Sequence, residues 1–404
     1  MVRLARSRYK RTAHEDSAPM SFEEDIAKLN EFYFFREFTF SKSTFHPAPE
    51  QKLELADSLI WLDDVLIVYQ LKQRDAQDRT SPDKERRWFE KKVVGQATRQ
   101  IRDTLMYLQN YRDIGVRNHR GHTFNLAAAQ TDAAHKLVVY LPHDSLPQAC
   151  REKKHHRSRT AGVIHLIPAN DYLGILRTLI TPAEVAEYLS FREGLINRWE
   201  RELLVVPEQA LVGQYLHGDL QQKPRLEFVD YLRALQQRLD EWDMSAVISA
   251  FADRVTSDNA PTDYYHIVSE IAKLTRDELR EFKSRFGLAM ERAKANEFAR
   301  PYRMACPRTA CGFIFIPLIE DLLPHRSQGL QNFTYAHKYD LRLPKCIGIS
   351  FALEEGKWFS IEWCYMEFPW QKDPEFEDRL RRDNPLRNVR AAVLQRYTFK
   401  PLGK

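Results

Sequence analysis

Residues 54–74 read ELADSLIWLDDVLIVYQLKQR, and this stretch decides how the first half of the chain is organised. An apolar run through Ile60 and Leu62 meets Asp63-Asp64, two polar residues suited to a tight turn, and Val65 to Lys72 returns as a second aliphatic run. The pattern predicts a β-hairpin. Side chains alternate along a strand, so Val65, Ile67, Tyr69 and Leu71 share one face of the return strand. Leu66, Val68, Gln70 and Lys72 share the other. An amide and an ammonium projecting together from the end of an apolar strand, beside Asp57 on its neighbour, make an uncommon use of core positions.

This set suits metal-assisted hydrolysis of a phosphodiester. Asp57 would bind a divalent cation such as Mg2+ or Mn2+, with the Gln70 side-chain oxygen and the Leu71 backbone carbonyl as neutral ligands. Lys72 would orient the attacking water and stabilise charge building on the phosphate. The same letters also fit a half-buried strand end whose lysine pairs with Asp57 or reaches solvent.

The surrounding elements set the context. Ser21 caps an expected helix over 22–30, with Glu23, Glu24 and Asp25 in its first turn. The run 32–40 reads as a strand, the Asp57 hairpin follows, and a long helix is expected from about 84 to 111. A further strand covers 137–141, closed by Pro142. Val93, Ala97, Ile101, Leu105 and Leu108 recur at helical spacing and should pack on the sheet. Gln96, Gln100, Asp103 and Tyr107 form an adjacent polar stripe.

In this order of elements, residues 21–167 resemble the PD-(D/E)xK nuclease superfamily. Asp57 falls at the place of its metal-binding aspartate, and Gln70-Leu71-Lys72 at the place of its (D/E)xK triplet. The resemblance is closest to the Mrr-like restriction branch, in which glutamine commonly replaces the acidic residue of the triplet. It implies an α/β fold with a restriction-endonuclease-like mixed sheet flanked by helices, DNA as substrate, and a place in bacterial restriction or anti-phage defence. It also implies that a glutamine of the long helix, Gln96 or Gln100, reaches the site. Gln70 leaves the site one negative charge short, so Glu37 on the first strand and Glu23 on the first helix are the candidates for another acidic ligand. Glu54, three residues before Asp57, should face the other way. A second expectation belongs to another class: a nucleic-acid-binding or scaffold protein that keeps the nuclease fold without turnover.

Composition bounds these readings without choosing between them. The chain has 404 residues, 43% hydrophobic, enough for two or three domains, and a formal charge of only +5. Basic residues cluster locally, at Arg3, Arg6, Arg8, Lys10 and Arg11 and in REKKHHRSR at 151–159, where they could neutralise phosphates or remain solvated. Five cysteines without a paired framework suggest a reduced, cytoplasmic chain. Cys306 and Cys311 have spacing that zinc tolerates but no second close pair. No apolar run is long enough for a membrane span.

The domain organisation expected is a basic segment 1–20, a nuclease-like core 21–175, a helical domain 176–300 and an α+β domain 301–404. Thr181-Pro182-Ala183-Glu184 reads as a capping box opening a helix, and Thr275 with Glu278 as another that splits the stretch 264–296. Strands are expected over 312–318, 346–353 and 358–368, with a turn at 354–357 and a charged helix over 374–382. The later domains would select substrate, form a homodimer or bind a partner protein.

Overall fold

The computed structural model describes residues 21–48, 50–74, 80–254, 260–354 and 358–401. The basic segment 1–20 and most of the turn expected at 354–357 lie outside the described residues. The chain is a mixed α/β protein built around two sheets of four or more strands.

The first half runs α1 (Phe22–Phe34), β1 (Thr39–Ala48), β2 (Gln51–Leu62), β3 (Val65–Lys72), α2 (Pro82–Trp88), a π-helical stretch (Phe89–Gln96) and α3 (Ala97–Asn110). A small hairpin, β4 (Gly115–Arg117) and β5 (Thr123–Asn125), precedes β6 (His135–Tyr140), α4 (Gln148–Arg151), β7 (His155–Ser158) and β8 (Gly162–Pro168). Six strands form a mixed sheet in the order β1-β2-β3-β6-β8-β7, in which β3, β6 and β8 are mutually parallel. The β2–β3 hairpin turns at Asp63-Asp64 as expected, with Asp63 left-handed at φ 55°, a conformation aspartate tolerates.

The expected strand over 32–40 is corrected. Phe22, Ile26, Leu29 and Phe34 are buried at helical spacing, so α1 continues through the aromatic run, and the first strand begins only at Thr39. The helix is pinned to the back of the hairpin. There the Tyr172 hydroxyl bridges Asn30 Oδ1 (2.7 Å) and the Tyr69 hydroxyl (2.9 Å), all buried.

The second half continues with α5 (Ala169–Leu179), α6 (Pro182–Arg198), α7 (Glu200–Leu204), α8 (Glu208–His217), α9 (Phe228–Ala234), β9 (Leu235–Gln236), α10 (Leu239–Trp242), α11 (Ser245–Arg254), α12 (Tyr264–Ala272) and α13 (Arg276–Lys294). It ends with β10 (Tyr302–Cys306), β11 (Cys311–Pro317), α14 (Arg326–Asp340), β12 (Lys345–Glu354), β13 (Trp358–Glu367), α15 (Pro374–Arg382) and β14 (Thr398–Phe399). Strands β10-β11-β12-β13 form the second sheet.

The middle helices do not share a core of their own. Apolar residues of α5, α6, α8 and α9 join Ile60, Ile67, Tyr69 and Leu137 of the first sheet in one cluster. Those of α11, α12 and α13 join Phe313, Phe315, Ile347 and Phe351 of the second sheet in another. Helices expected to stand as a domain over 176–300 thus serve as a layer for each sheet. The chain end closes the arrangement: β14 pairs with β9, and Tyr397 and Phe399 pack on the first cluster.

The helical layers of the two sheets are locked by a buried ion pair that changes the reading of Glu184. Thr181 does cap α6, accepting from the Glu184 N–H at 3.2 Å. The Glu184 carboxylate does not close the box, because it binds the buried Arg276 guanidinium, with Nη2 at 2.6 Å and Nε at 2.9 Å. At Thr275 the expected box is complete.

Candidate active site

The β2–β3 ladder pairs residues as far as Ser58 opposite Tyr69. Past that point a side chain replaces the backbone partner: Asp57 Oδ2 accepts from the Leu71 N–H at 2.7 Å. The same oxygen accepts from Lys72 Nζ at 3.2 Å, and Lys72 Nζ also donates to Gln70 Oε1 at 3.0 Å. Asp57, Gln70 and Lys72 therefore meet at one spot, on the sheet face that carries Leu59, Leu66 and Val68. The Leu71 carbonyl leaves the same strand edge as its N–H, toward β2.

The site is sheltered without being sealed. Asp57 and Lys72 side chains retain 10% and 13% exposure, while Gln70 is buried. Among the described residues nothing donates to Asp57 Oδ1. That oxygen, Gln70 Oε1 and the Leu71 carbonyl make an all-oxygen donor set that fits a hard divalent cation and supplies one negative charge. The ammonium of Lys72 already spans two of these oxygens, so a cation would have to share or displace that contact.

Of the acids expected to help, Glu37 is elsewhere. Glu37 precedes β1 rather than lying on it, and Phe38 O accepts from Trp61 N–H, which puts Glu37 near the turn end of the hairpin. That is four or more residues along β2 from Asp57, about 13 Å or more of strand. Its buried carboxylate takes Arg120 Nε at 2.7 Å and the Tyr264 hydroxyl at 3.1 Å. Glu37 is thus a link between halves, and its expected role as a metal ligand is withdrawn. Glu23 sits 3.7 Å from Lys42 at the surface, and Glu54 is exposed opposite Thr44. Among the described residues no group of three or more His, Cys, Asp or Glu side chains is gathered as a metal cluster. Any cation here would rest on one carboxylate and neutral oxygens.

Helix α3 crosses this face, and the Thr104 hydroxyl donates to the Leu55 carbonyl, two residues before Asp57. Gln100, one turn earlier, has a buried Oε1 with no hydrogen-bond partner among the described residues. Of the two glutamines singled out in the sequence, Gln100 is the one with an unsatisfied oxygen under this helix.

Two further groups were not foreseen. Arg74, just beyond Lys72, pairs with the buried Glu85 of α2, whose Oε2 has no partner among the described residues. Tyr140 stands beside Lys72 on β6 with a buried hydroxyl that has no partner among the described residues, and its ring meets Phe89 edge-on at 5.4 Å. Burial, then the Asp171 carboxylate, raises the Tyr140 phenol above its ordinary range, so it stays protonated. Only the parallel β3–β6 register brings Tyr140 here, and sequence spacing carries no signal of that.

Other candidates are absorbed by structure. In the 151–159 cluster, Arg151 donates to the carbonyls of His143, Asp144 and Leu146, His155 contacts Glu200 at 2.7 Å, and Arg157 joins Glu200 and Asn197. Cys306 and Cys311 face each other across β10 and β11, both buried, and the Cys306 thiol donates to Glu278 at 2.8 Å. At the turn end of the hairpin, Lys273 Nζ lies 2.6 Å from Asp63 and 2.6 Å from Glu270, which also takes Lys345 of β12 at 2.6 Å. Among the described residues no helix is long and apolar enough to cross a membrane.

None of the protein-family models matches this chain, and the curated proteins and solved structures compared with it give no match either.

Proposed function

We propose that the chain is a metal-dependent nuclease that hydrolyses DNA phosphodiester bonds at the Asp57 end of the β2–β3 hairpin. The observation that carries this reading is the convergence of Asp57, Gln70 and Lys72 within 3.2 Å contacts of one ammonium, with no donor to Asp57 Oδ1 among the described residues. The order α1, β1, β2, β3, α2–α3, β6 agrees with the superfamily the sequence resembles.

In this reading Asp57, Gln70 and the Leu71 carbonyl hold Mg2+ or Mn2+, which would supply charge stabilisation at the phosphate. Lys72 holds the attacking water in line and offsets charge on the nonbridging phosphate oxygens. The Leu71 N–H fixes the Asp57 carboxylate through Oδ2. Arg74 and Glu85 anchor the helix start beside the strand end. A place in restriction or anti-phage defence is carried by the resemblance alone.

The test is incubation of purified protein with supercoiled plasmid and Mg2+ or Mn2+. Nicking should appear, and Asp57→Ala and Lys72→Ala should each abolish it while circular dichroism stays native. Cleavage that survives both substitutions refutes the site. One observation favours a second reading, a nuclease fold used for binding or scaffolding without turnover: Lys72 alone already balances the single carboxylate. DNA binding without cleavage under either metal would select it.

A further inference from the structure

From the distribution of charge we infer that the outer face of the α2–α3 helix is a track for the phosphate backbone of duplex DNA. It rests on nucleic acid being the substrate of the proposed site, and it names the surface that holds that substrate.

Between residues 84 and 102 the chain carries seven basic residues and two acidic ones, an excess of five. Over the whole helix, 82–110, Asp83 and Asp103 bring the acids to four, and the excess of three is still the larger part of the protein's net +5. One of these acids, Glu85, is buried against Arg74 and contributes nothing to the outer face. Lys84, Arg87, Lys91, Lys92, Arg99 and Arg102 are all exposed. None of these six side chains forms an ion pair or hydrogen bond among the described residues. Lys84, Arg87, Lys91, Arg99 and Arg102 follow one line along the helix at steps of three or four, with exposed Gly95 filling the one gap.

Such a row is unfavourable for the helix itself. Like charges three and four apart repel, and cations near the start of a helix oppose its dipole. In the 151–159 cluster, by contrast, Arg151 and Arg157 are tied to carbonyls, Glu200 and Asn197. An uncompensated row fits an external polyanion. Its position fits too: Ser81 caps the helix a few residues after Lys72, the Arg74–Glu85 pair holds its first turn at the end of β3, and Phe89 packs on Tyr140 beside Lys72. From Lys84 to Arg102 the helix rises about 27 Å, less a little for the π-helical stretch, which matches the axial length of roughly eight base-pair steps of duplex.

The test is fluorescence anisotropy with a labelled duplex in EDTA, where no cleavage can occur, across a series of salt concentrations. The triple variant Arg87→Ala, Lys91→Ala, Arg99→Ala should bind at least roughly tenfold more weakly, and its log K against log salt slope should be shallower by about three. Alanine favours helix and the three exposed side chains form no hydrogen bond or ion pair among the described residues, so circular dichroism should be unchanged. The matched control, Arg177→Ala, Arg201→Ala, Arg233→Ala, removes the same charge from exposed positions on α5, α7 and α9 and should bind like the parent. A triple variant with the parent's affinity and slope overturns the inference, as does a control that loses equally. Because the assay needs no turnover, absent cleavage with intact row-dependent binding would remove the nuclease reading and leave this one standing.

Discussion

Replacing Lys72 with methionine separates a working cation site from inert packing. In the parent the ammonium lies 3.2 Å from Asp57 Oδ2, with both side chains at most 13% exposed. At an effective dielectric of about 20 the attraction is about 5 kcal/mol before desolvation is counted. Removing one partner of a fully buried pair costs roughly 3–5 kcal/mol. Here the Leu71 N–H still holds Oδ2 at 2.7 Å and solvent reaches the site, so a loss of about 2–3 kcal/mol is expected in EDTA. Methionine has no charge to compete for the oxygens, so added Mg2+ should stabilise Lys72→Met more than the parent. At a free concentration a hundredfold above its Kd the gain is about 2.7 kcal/mol. Urea denaturation with EDTA and with saturating Mg2+ measures both quantities, and Asp57→Asn combined with Lys72→Met should erase the metal response. If Lys72→Met is as stable as the parent in EDTA and indifferent to Mg2+, the reasoning about this site is wrong.

Three other outcomes are expected. Gln70→Glu adds a carboxylate to the donor set and should tighten Mg2+ binding by roughly tenfold or more in calorimetry, and unchanged affinity would place Gln70 outside the site. Buried His337 is lowered to about 4 by burial and the Arg303 guanidinium, and buried His165 is held well below its usual range by burial and Arg192. Both refuse protons that the unfolded chain accepts near pH 6.5, so the unfolded state binds more protons below that pH. Stability should therefore fall as pH drops from about 6.5 toward 4, by about 1.4 kcal/mol per pH unit for each histidine, and equal urea midpoints at about pH 7.5 and about pH 5 would contradict this. Arg276→Met strands the buried Glu184 carboxylate and should cost roughly 3–5 kcal/mol, with much of it regained in the Glu184→Gln, Arg276→Met double variant.

Much of the site could be read from the sequence because a hairpin is local. Alternation along 65–72 puts Gln70 and Lys72 on one side, and the Asp63-Asp64 turn fixes the register that brings Asp57 opposite. Properties that depend on distant partners were hidden. Glu37 has the right charge, but Arg120 and Tyr264 come from loops and helices far along the chain. β1 is an edge strand with the polar sequence TFSKSTFHPA, so the aromatic FYFF before it looked the better strand although it completes a helix. α14 buries Arg326, His337 and Lys338, which reads as surface until Ser350, Met304 and Phe368 supply their partners. The middle helices show sound amphipathic patterns, and nothing in a pattern says which of two sheets a stripe will cover.

The pairing of β14 with β9 has a consequence for how this protein comes into being. Tyr397 and Phe399 belong to the packing of the first sheet, yet they are made only after every element from α5 to α15. A nascent chain usually settles its N-terminal unit while the rest is still being made. Here that unit stays incomplete until Tyr397 and Phe399 have been made, so a product cut short anywhere before β14 carries Asp57, Gln70 and Lys72 in a half that lacks its closing strap.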